Sequence, residues 1–348
     1  MISASLASIT LVASMVVNPT PSATPLASDV PPPPSVSAER WIVYDALDEV
    51  VLASWNANVR APMASVTKVM TAIVVLENAD LSEVVTIPDF VSGIRGSTAA
   101  LTPGEQWTVG DLLIALMIRS GNDAAFAIAH HVGGQSTAAF VDMMNAKAVE
   151  LGMADTRFAN PAGLDAEDHF STATDLLTLI IASREYPDIV RLGRIKSVTM
   201  PSDSNGTARS YTNTNRLVGS FPGAIGLKTG DTPSADKVLL GVTERSGRAI
   251  YSVVMHADDH FADTRELVEW AYETNTIADR WLRPLYSEEG GGGAPTPDLD
   301  LTDSHERRLR AMTRLADGRW NTSSLEDLPK AEMIARWIRD AIPGIAGG

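Results

Sequence analysis

Residues 64–79, ASVTKVMTAIVVLENA, carry apolar side chains on nearly every face that a helix would present. A helix of this kind has no solvent side, so other elements must wrap it. Whatever this chain folds into is therefore built around that segment. Lys68 lies inside it, and an ammonium group taken out of water needs a partner or a shifted pKa.

The wrapping material is mixed. Residues 41–45 and 50–55 read as two strands joined by a polar turn at 46–49. Residues 238–243 and 249–255 flank Arg245-Ser-Gly-Arg248 and give a strong hairpin signal. Between these strand pairs lie helical patterns. Thr108-Val-Gly-Asp111 resembles a capping box, with Asp in place of Glu, and starts a helix over 112–118. Further helices are expected over 123–132, 140–151 and 173–184, with a closing helix over 264–281. Strands at both ends with helices between predict an α+β fold: an antiparallel sheet with flanking helices and an inserted all-helical region.

The 348 residues are 45% hydrophobic and carry a net charge of −15, which argues against a nucleic-acid partner. The absence of cysteine removes disulfides, thiolate catalysis and cysteine-based zinc sites. No HExxH or comparable pair occurs among the six histidines. His130 and His131 are adjacent, diverge by about 100° on a helix, and read as surface residues. Residues 2–17 look like the apolar core of a secretory signal, although no Lys or Arg precedes Arg40. The run is too short for a comfortable membrane span. Export is the expectation. Residues 1–37 are thus a signal-like segment and a proline-rich spacer, and 38–286 a catalytic domain. Residues 287–300 form a Gly/Pro linker and 301–348 a short helical tail.

Three clusters carry chemistry. Ser65 and Lys68 stand three apart and share a helix face near its N-terminus, so the amine can act as base for the hydroxyl. Ser120-Gly121-Asn122 interrupts the apolar run of 112–118; a serine can relay a proton and an asparagine can hold an amide. Lys228-Thr229-Gly230, followed by Asp231 and Thr232, is expected on a strand edge, where glycine admits a close substrate backbone. Each cluster alone has a plain structural explanation: an N-cap serine with a solvated lysine, a helix break, an edge-strand turn. Together they give SxxK, SxN and KTG in order, the set found in penicillin-binding proteins and serine β-lactamases.

On these residues the sequence resembles the low-molecular-mass penicillin-binding proteins, the serine-type D-alanyl-D-alanine carboxypeptidases of peptidase family S11. The resemblance extends over about residues 40–283. It includes the stretches 61–71, 96–105, 119–125, 156–164 and 169–173, and Asn213-Thr-Asn215 ahead of the KTG triplet. It implies a β-lactamase/transpeptidase-like fold. It also implies that Ser65 attacks the carbonyl between the two terminal D-alanines of a peptidoglycan stem peptide while Lys68 takes its proton. Ser120 and Lys228 would pass a proton to the leaving amine, and Asn122 would hold the acyl-side amide. Lys228, Thr229, Gly230, Asp231 and Thr232 would bind substrate, with the N–H groups of Ser65 and Asp231 as the oxyanion hole. β-Lactams would acylate Ser65. No metal or organic cofactor is implied.

Asp231 departs from the family pattern, since a carboxylate beside a carboxylate site is unhelpful unless it turns away or pairs. Arg216 and Arg265 are both candidates for the carboxylate-binding arginine. A D,D-endopeptidase of the same fold is the main alternative. A β-lactamase is less favoured, because residues 160–167 lack an ExxLN segment. An inert β-lactam sensor is opposed by the intact set. Two helical stretches of the tail, 306–315 and 331–342, suggest weak membrane or partner docking.

Overall fold

The computed structural model describes residues 31–200 and 208–286, with side chains as far as Thr274. The signal-like segment, the linker and the tail lie outside the described residues.

Strands β1 (Arg40–Asp45) and β2 (Val50–Trp55) open the fold, and β7 (Ala224–Thr232), β8 (Asp236–Arg245) and β9 (Arg248–Ala257) close it. They form one antiparallel sheet in the order β2-β1-β9-β8-β7, with β1 paired to β9 in the register Trp41↔Val254. The β8–β9 turn has positive φ at Ser246 and Gly247, the pattern of a tight hairpin whose twist matches its strands.

Both faces of the sheet are covered. Ile42, Tyr44, Leu240, Val253 and Met255 point into the larger core with the inserted helices. Their alternates Trp41, Val43, Leu239, Ile250 and Val254 pack with Phe261, Leu267, Val268 and Trp270 of α7 (His260–Tyr286). Strands buried on both sides lose the polar alternation of a half-exposed sheet, which is why they read as continuous apolar runs. Arg248 of β9 pairs with Asp45 and Asp48, tying β9 to the β1–β2 turn.

The inserted region comprises α1 (Lys68–Asn78), α2 (Val109–Ile118), α3 (Asn122–Val132), α4 (Thr137–Glu150), α5 (Ala173–Ser183) and α6 (Pro187–Gly193). Thr108 caps α2 as expected: its Oγ1 accepts from Asp111 N at 3.1 Å. Thr172 caps α5 in the same way through Asp175 N.

Several elements differ from the sequence reading. The helix expected over 64–79 is a 3₁₀ turn at Ala64–Thr67 that runs into α1. The closing helix starts earlier and ends later than expected. Helix α6 was not anticipated. Nor were two small hairpins, β3 (Val84–Thr86) with β4 (Gln106–Thr108) and β5 (Ser197–Met200) with β6 (Arg209–Thr212). Three- and four-residue strands are too short for periodicity to register. Among the described residues, no helix is long and apolar enough to cross a membrane.

Candidate active site

The 3₁₀ turn sets the first distance. In such a turn side chains three apart eclipse, and Lys68 Nζ lies 2.9 Å from Ser65 Oγ. The amine is fully buried and also donates to Asn122 Oδ1 at 2.7 Å and to the carbonyl of Ala162 at 2.6 Å. Burial, and then the charge of Lys228, hold its pKa well below the usual 10.5; the Asp123 carboxylate opposes this. A buried amine that is readily neutral, in contact with a hydroxyl, is a competent base.

The second cluster sits between α2 and α3. Ser120 has φ 62°, a left-handed conformation that costs about 1–3 kcal/mol outside glycine and needs surrounding restraint. Ser120 is held by Lys228, which donates to its Oγ, and by the Gly121 N–H, which donates to Ala115 O; beyond them the Asp123 carboxylate accepts from the N–H groups of Ala99 and Leu101. Asn122 is fixed from two sides: its backbone N–H donates to Ser97 O and its Nδ2 to Arg95 O.

The third cluster lies on β7, the edge strand beside the 3₁₀ turn. Lys228 Nζ donates to Ser120 Oγ at 2.9 Å and to the carbonyl of Thr229 at 3.0 Å. Burial lowers its pKa to about 7. Three hydrogen bonds thus gather these residues into two groups, Ser65–Lys68–Asn122 and Ser120–Lys228. Gly230 permits the close approach: a Cβ there would lie 2.8 Å from Ala64 Cβ and 3.0 Å from Ser65 N.

A cleft of about 240 Å³ opens over these groups, lined by Ser65, Ser120, Thr229, Gly230 and Asp231. Thr229 and Asp231, two apart on the strand, face the same side. Asp231 therefore looks into the cleft, and it forms no ion pair among the described residues. Thr232 does not line it; its hydroxyl is given to Asp165 at 2.6 Å. Of the two candidate arginines, Arg216 lines the cleft and Arg265 does not. Arg216 is exposed, stacks on Phe261 at 4.8 Å and has no carboxylate partner among the described residues. His260 and Thr214 complete that wall. A larger groove of about 440 Å³, around Tyr44, Tyr186 and Tyr251, lies away from this chemistry. Among the described residues no group of His, Asp and Glu could hold a metal ion.

Sequence reasoning gave no role to Ala162 or Asp165, although Ala162 falls in a stretch that carried the resemblance and Asp165 directly follows it. It also did not single out His260. The signal there is a histidine at the start of an amphipathic helix, and it is too weak to find alone.

Residues 27–259 match the profile of the D-alanyl-D-alanine carboxypeptidases. The chain belongs to this family, peptidase S11. It is a hydrolase of the serine-peptidase kind. It is similar to a D-alanyl-D-alanine carboxypeptidase of Mycobacterium tuberculosis, 34% identical over 255 residues that cover 71% of this chain and 86% of that protein. A D-alanyl-D-alanine endopeptidase of Escherichia coli is 34% identical, with 68% and 78% covered. The chain spans less of a carboxypeptidase of Bacillus subtilis, 61% of its length at 32% identity. Among solved structures, a D-alanyl-D-alanine carboxypeptidase of M. tuberculosis aligns with TM-score 0.66 at 33% identity, covering 71% of this chain and 95% of that one. The Streptomyces K15 DD-transpeptidase aligns with TM-score 0.66 at 30% identity, covering 70% and 99%. The antiparallel sheet with flanking helices is the fold these neighbours share.

Proposed function

We propose that this chain is a serine D-alanyl-D-alanine carboxypeptidase that releases the terminal D-alanine of peptidoglycan stem peptides through an acyl-enzyme on Ser65. The observation that carries this reading is the buried Lys68 amine, 2.9 Å from Ser65 Oγ at the floor of a cleft.

Lys68 takes the Ser65 proton as Oγ bonds to the carbonyl carbon. The oxyanion is met by the N–H groups of Ser65 and Asp231. The C–N bond breaks, and the leaving amine receives a proton by way of Ser120 and Lys228. Water then hydrolyses the ester, and Oγ regains its proton. Asn122, already bonded to Lys68, holds the acyl-side amide. The free carboxylate of the last residue is received by Arg216, whose guanidinium has no carboxylate partner among the described residues, and by the Thr229 hydroxyl, which donates to Thr214 Oγ1 at 2.7 Å until substrate arrives. Arg216 also offsets the Asp231 charge.

An arginine facing the cleft favours a substrate that ends in a free carboxylate over an internal cross-link, so carboxypeptidase action is preferred to endopeptidase action. β-Lactams, which carry a carboxylate next to a strained amide, acylate the same serine. The family is one of cell-envelope enzymes. That fact and the apolar run at 2–17 support export to the outer face of the cytoplasmic membrane or the periplasm.

Fluorescent penicillin should label the wild type and leave Ser65→Ala unlabelled. Purified muropeptides should yield free D-alanine faster than they convert dimers to monomers. Equal labelling of both proteins would overturn the mechanism, and faster loss of dimers would make the chain an endopeptidase.

A further inference from the structure

The turn that carries Ser65 is held by a chain of hydrogen bonds whose direction can be read. His169 is buried, and its Nδ1 accepts from the backbone N–H of Ala159 at 3.0 Å. Nδ1 therefore presents a lone pair, and in the neutral ring the proton sits on Nε2. Nε2 donates to Thr67 Oγ1 at 2.8 Å. Thr67 spends its own proton on the carbonyl of Ala64, also at 2.8 Å. Burial keeps the ring neutral, with its pKa lowered to about 4.

The end of this chain is what matters. The Ala64 carbonyl and the Ser65 N–H belong to one planar trans peptide and point in opposite directions. Fixing the oxygen fixes the aim of the N–H. The peptide needs fixing, because Ala64 has φ 50°, which an L side chain adopts only under restraint. Gly163 backs the same carbonyl from outside: a Cβ there would fall 1.9 Å from Ala64 O.

We propose that His169, acting through Thr67, is a positioning residue that aims the Ser65 N–H at the oxyanion of the reacting carbonyl. The inference rests on the acyl-enzyme reading above. It separates His169 from the Lys68 base, since the relay ends on a backbone carbonyl and passes no proton to Ser65 Oγ.

The test is the acylation rate of fluorescent penicillin, followed to saturation so that the binding and chemical constants separate. Thr67→Val keeps the shape and removes the hydroxyl. It should lower the acylation rate constant about 10- to 100-fold, part of what loss of an oxyanion donor costs, and change the binding constant less than threefold. Thr67→Ser keeps the relay and should restore the rate to within threefold of wild type. Should Thr67→Val fail to fold, His169→Gln and His169→Met serve instead. Gln retains an N–H toward Thr67 and Met does not, so only Met should be slow. A folded Thr67→Val that acylates at the wild-type rate overturns the proposal. So does a Ser variant as slow as Val, or equal rates for Gln and Met. Failure of the wild type itself to label would instead overturn the acyl-enzyme reading.

Discussion

Replacing Lys228 by methionine should abolish activity and make the protein more stable. Burial alone holds this amine at a pKa of about 7 instead of 10.5. That difference corresponds to about 5 kcal/mol of unfavourable free energy carried by the folded state near neutral pH. Methionine has similar length and no charge to desolvate. Against the gain stand two lost hydrogen bonds, to Ser120 Oγ at 2.9 Å and Thr229 O at 3.0 Å. At about 1 kcal/mol each, they leave a net gain of about 3 kcal/mol. For a domain of this size that raises Tm by roughly 6–12 °C. The sign with pH follows from proton counting. Between pH 7 and 10.5 the unfolded chain holds a proton on Lys228 that the folded chain has lost, so wild-type stability rises with pH. The advantage of Lys228→Met should shrink by about 1.4 kcal/mol per pH unit, vanish near about pH 9 and reverse above it, where only the two lost hydrogen bonds remain. Thermal unfolding at pH 7 and pH 10, with D-alanine release measured alongside, decides it. A variant less stable than wild type at pH 7, or a gap indifferent to pH, would refute the reasoning.

Gly230→Ala would drive a methyl group to 3.1 Å or less from Met63 O, Ser65 N and Ala64 Cβ, so β7 and the nucleophile turn must separate by several tenths of an ångström. Penicillin acylation should fall about 100-fold and stability by about 1–3 kcal/mol; a variant with wild-type acylation would show that β7 does not define the site. Acid sensitivity should come from His169 and His260, both held by burial at about 4 rather than 6.5. Their unfolded forms bind more protons below pH 6.5, so stability present above that value is lost as pH falls toward 4. The loss is up to about 3 kcal/mol for His169, and urea unfolding of His169→Gln should show a flatter acid limb.

What the sequence disclosed and what it withheld divide along a physical line. The sheet strands were legible because a strand buried on both faces needs an unbroken apolar run. The segment carrying Lys68 was legible as buried because no face of it was polar. Ser65, Lys68, Ser120, Asn122 and Lys228 could be found as spaced triplets, and the fold brings them into contact. The 3₁₀ start of that segment could not be found, because i,i+3 spacing looks alike in both helix types. Arg216 and Arg265 could not be separated, because facing the cleft depends on where α7 begins, and α7 packs against the 214–221 loop only in three dimensions. Thr232 was expected to meet substrate; a carboxylate more than sixty residues away takes its hydroxyl instead. His169 was seen as part of a matching stretch, yet its role is a matter of which nitrogen carries the proton, and no spacing encodes that.

Helix α1 touches α2, α3, α4, α5 and α6, so it has no neighbour-free side along which to loosen. Its amides can exchange with solvent only when most of the domain opens. Strand β7 has a strand on one side only. Its free edge lies against the 3₁₀ turn and α6 instead. Ser65 and Lys68 therefore stand on the side of the cleft that leads into the enclosed helix, and Lys228 through Asp231 stand on the edge strand of the sheet.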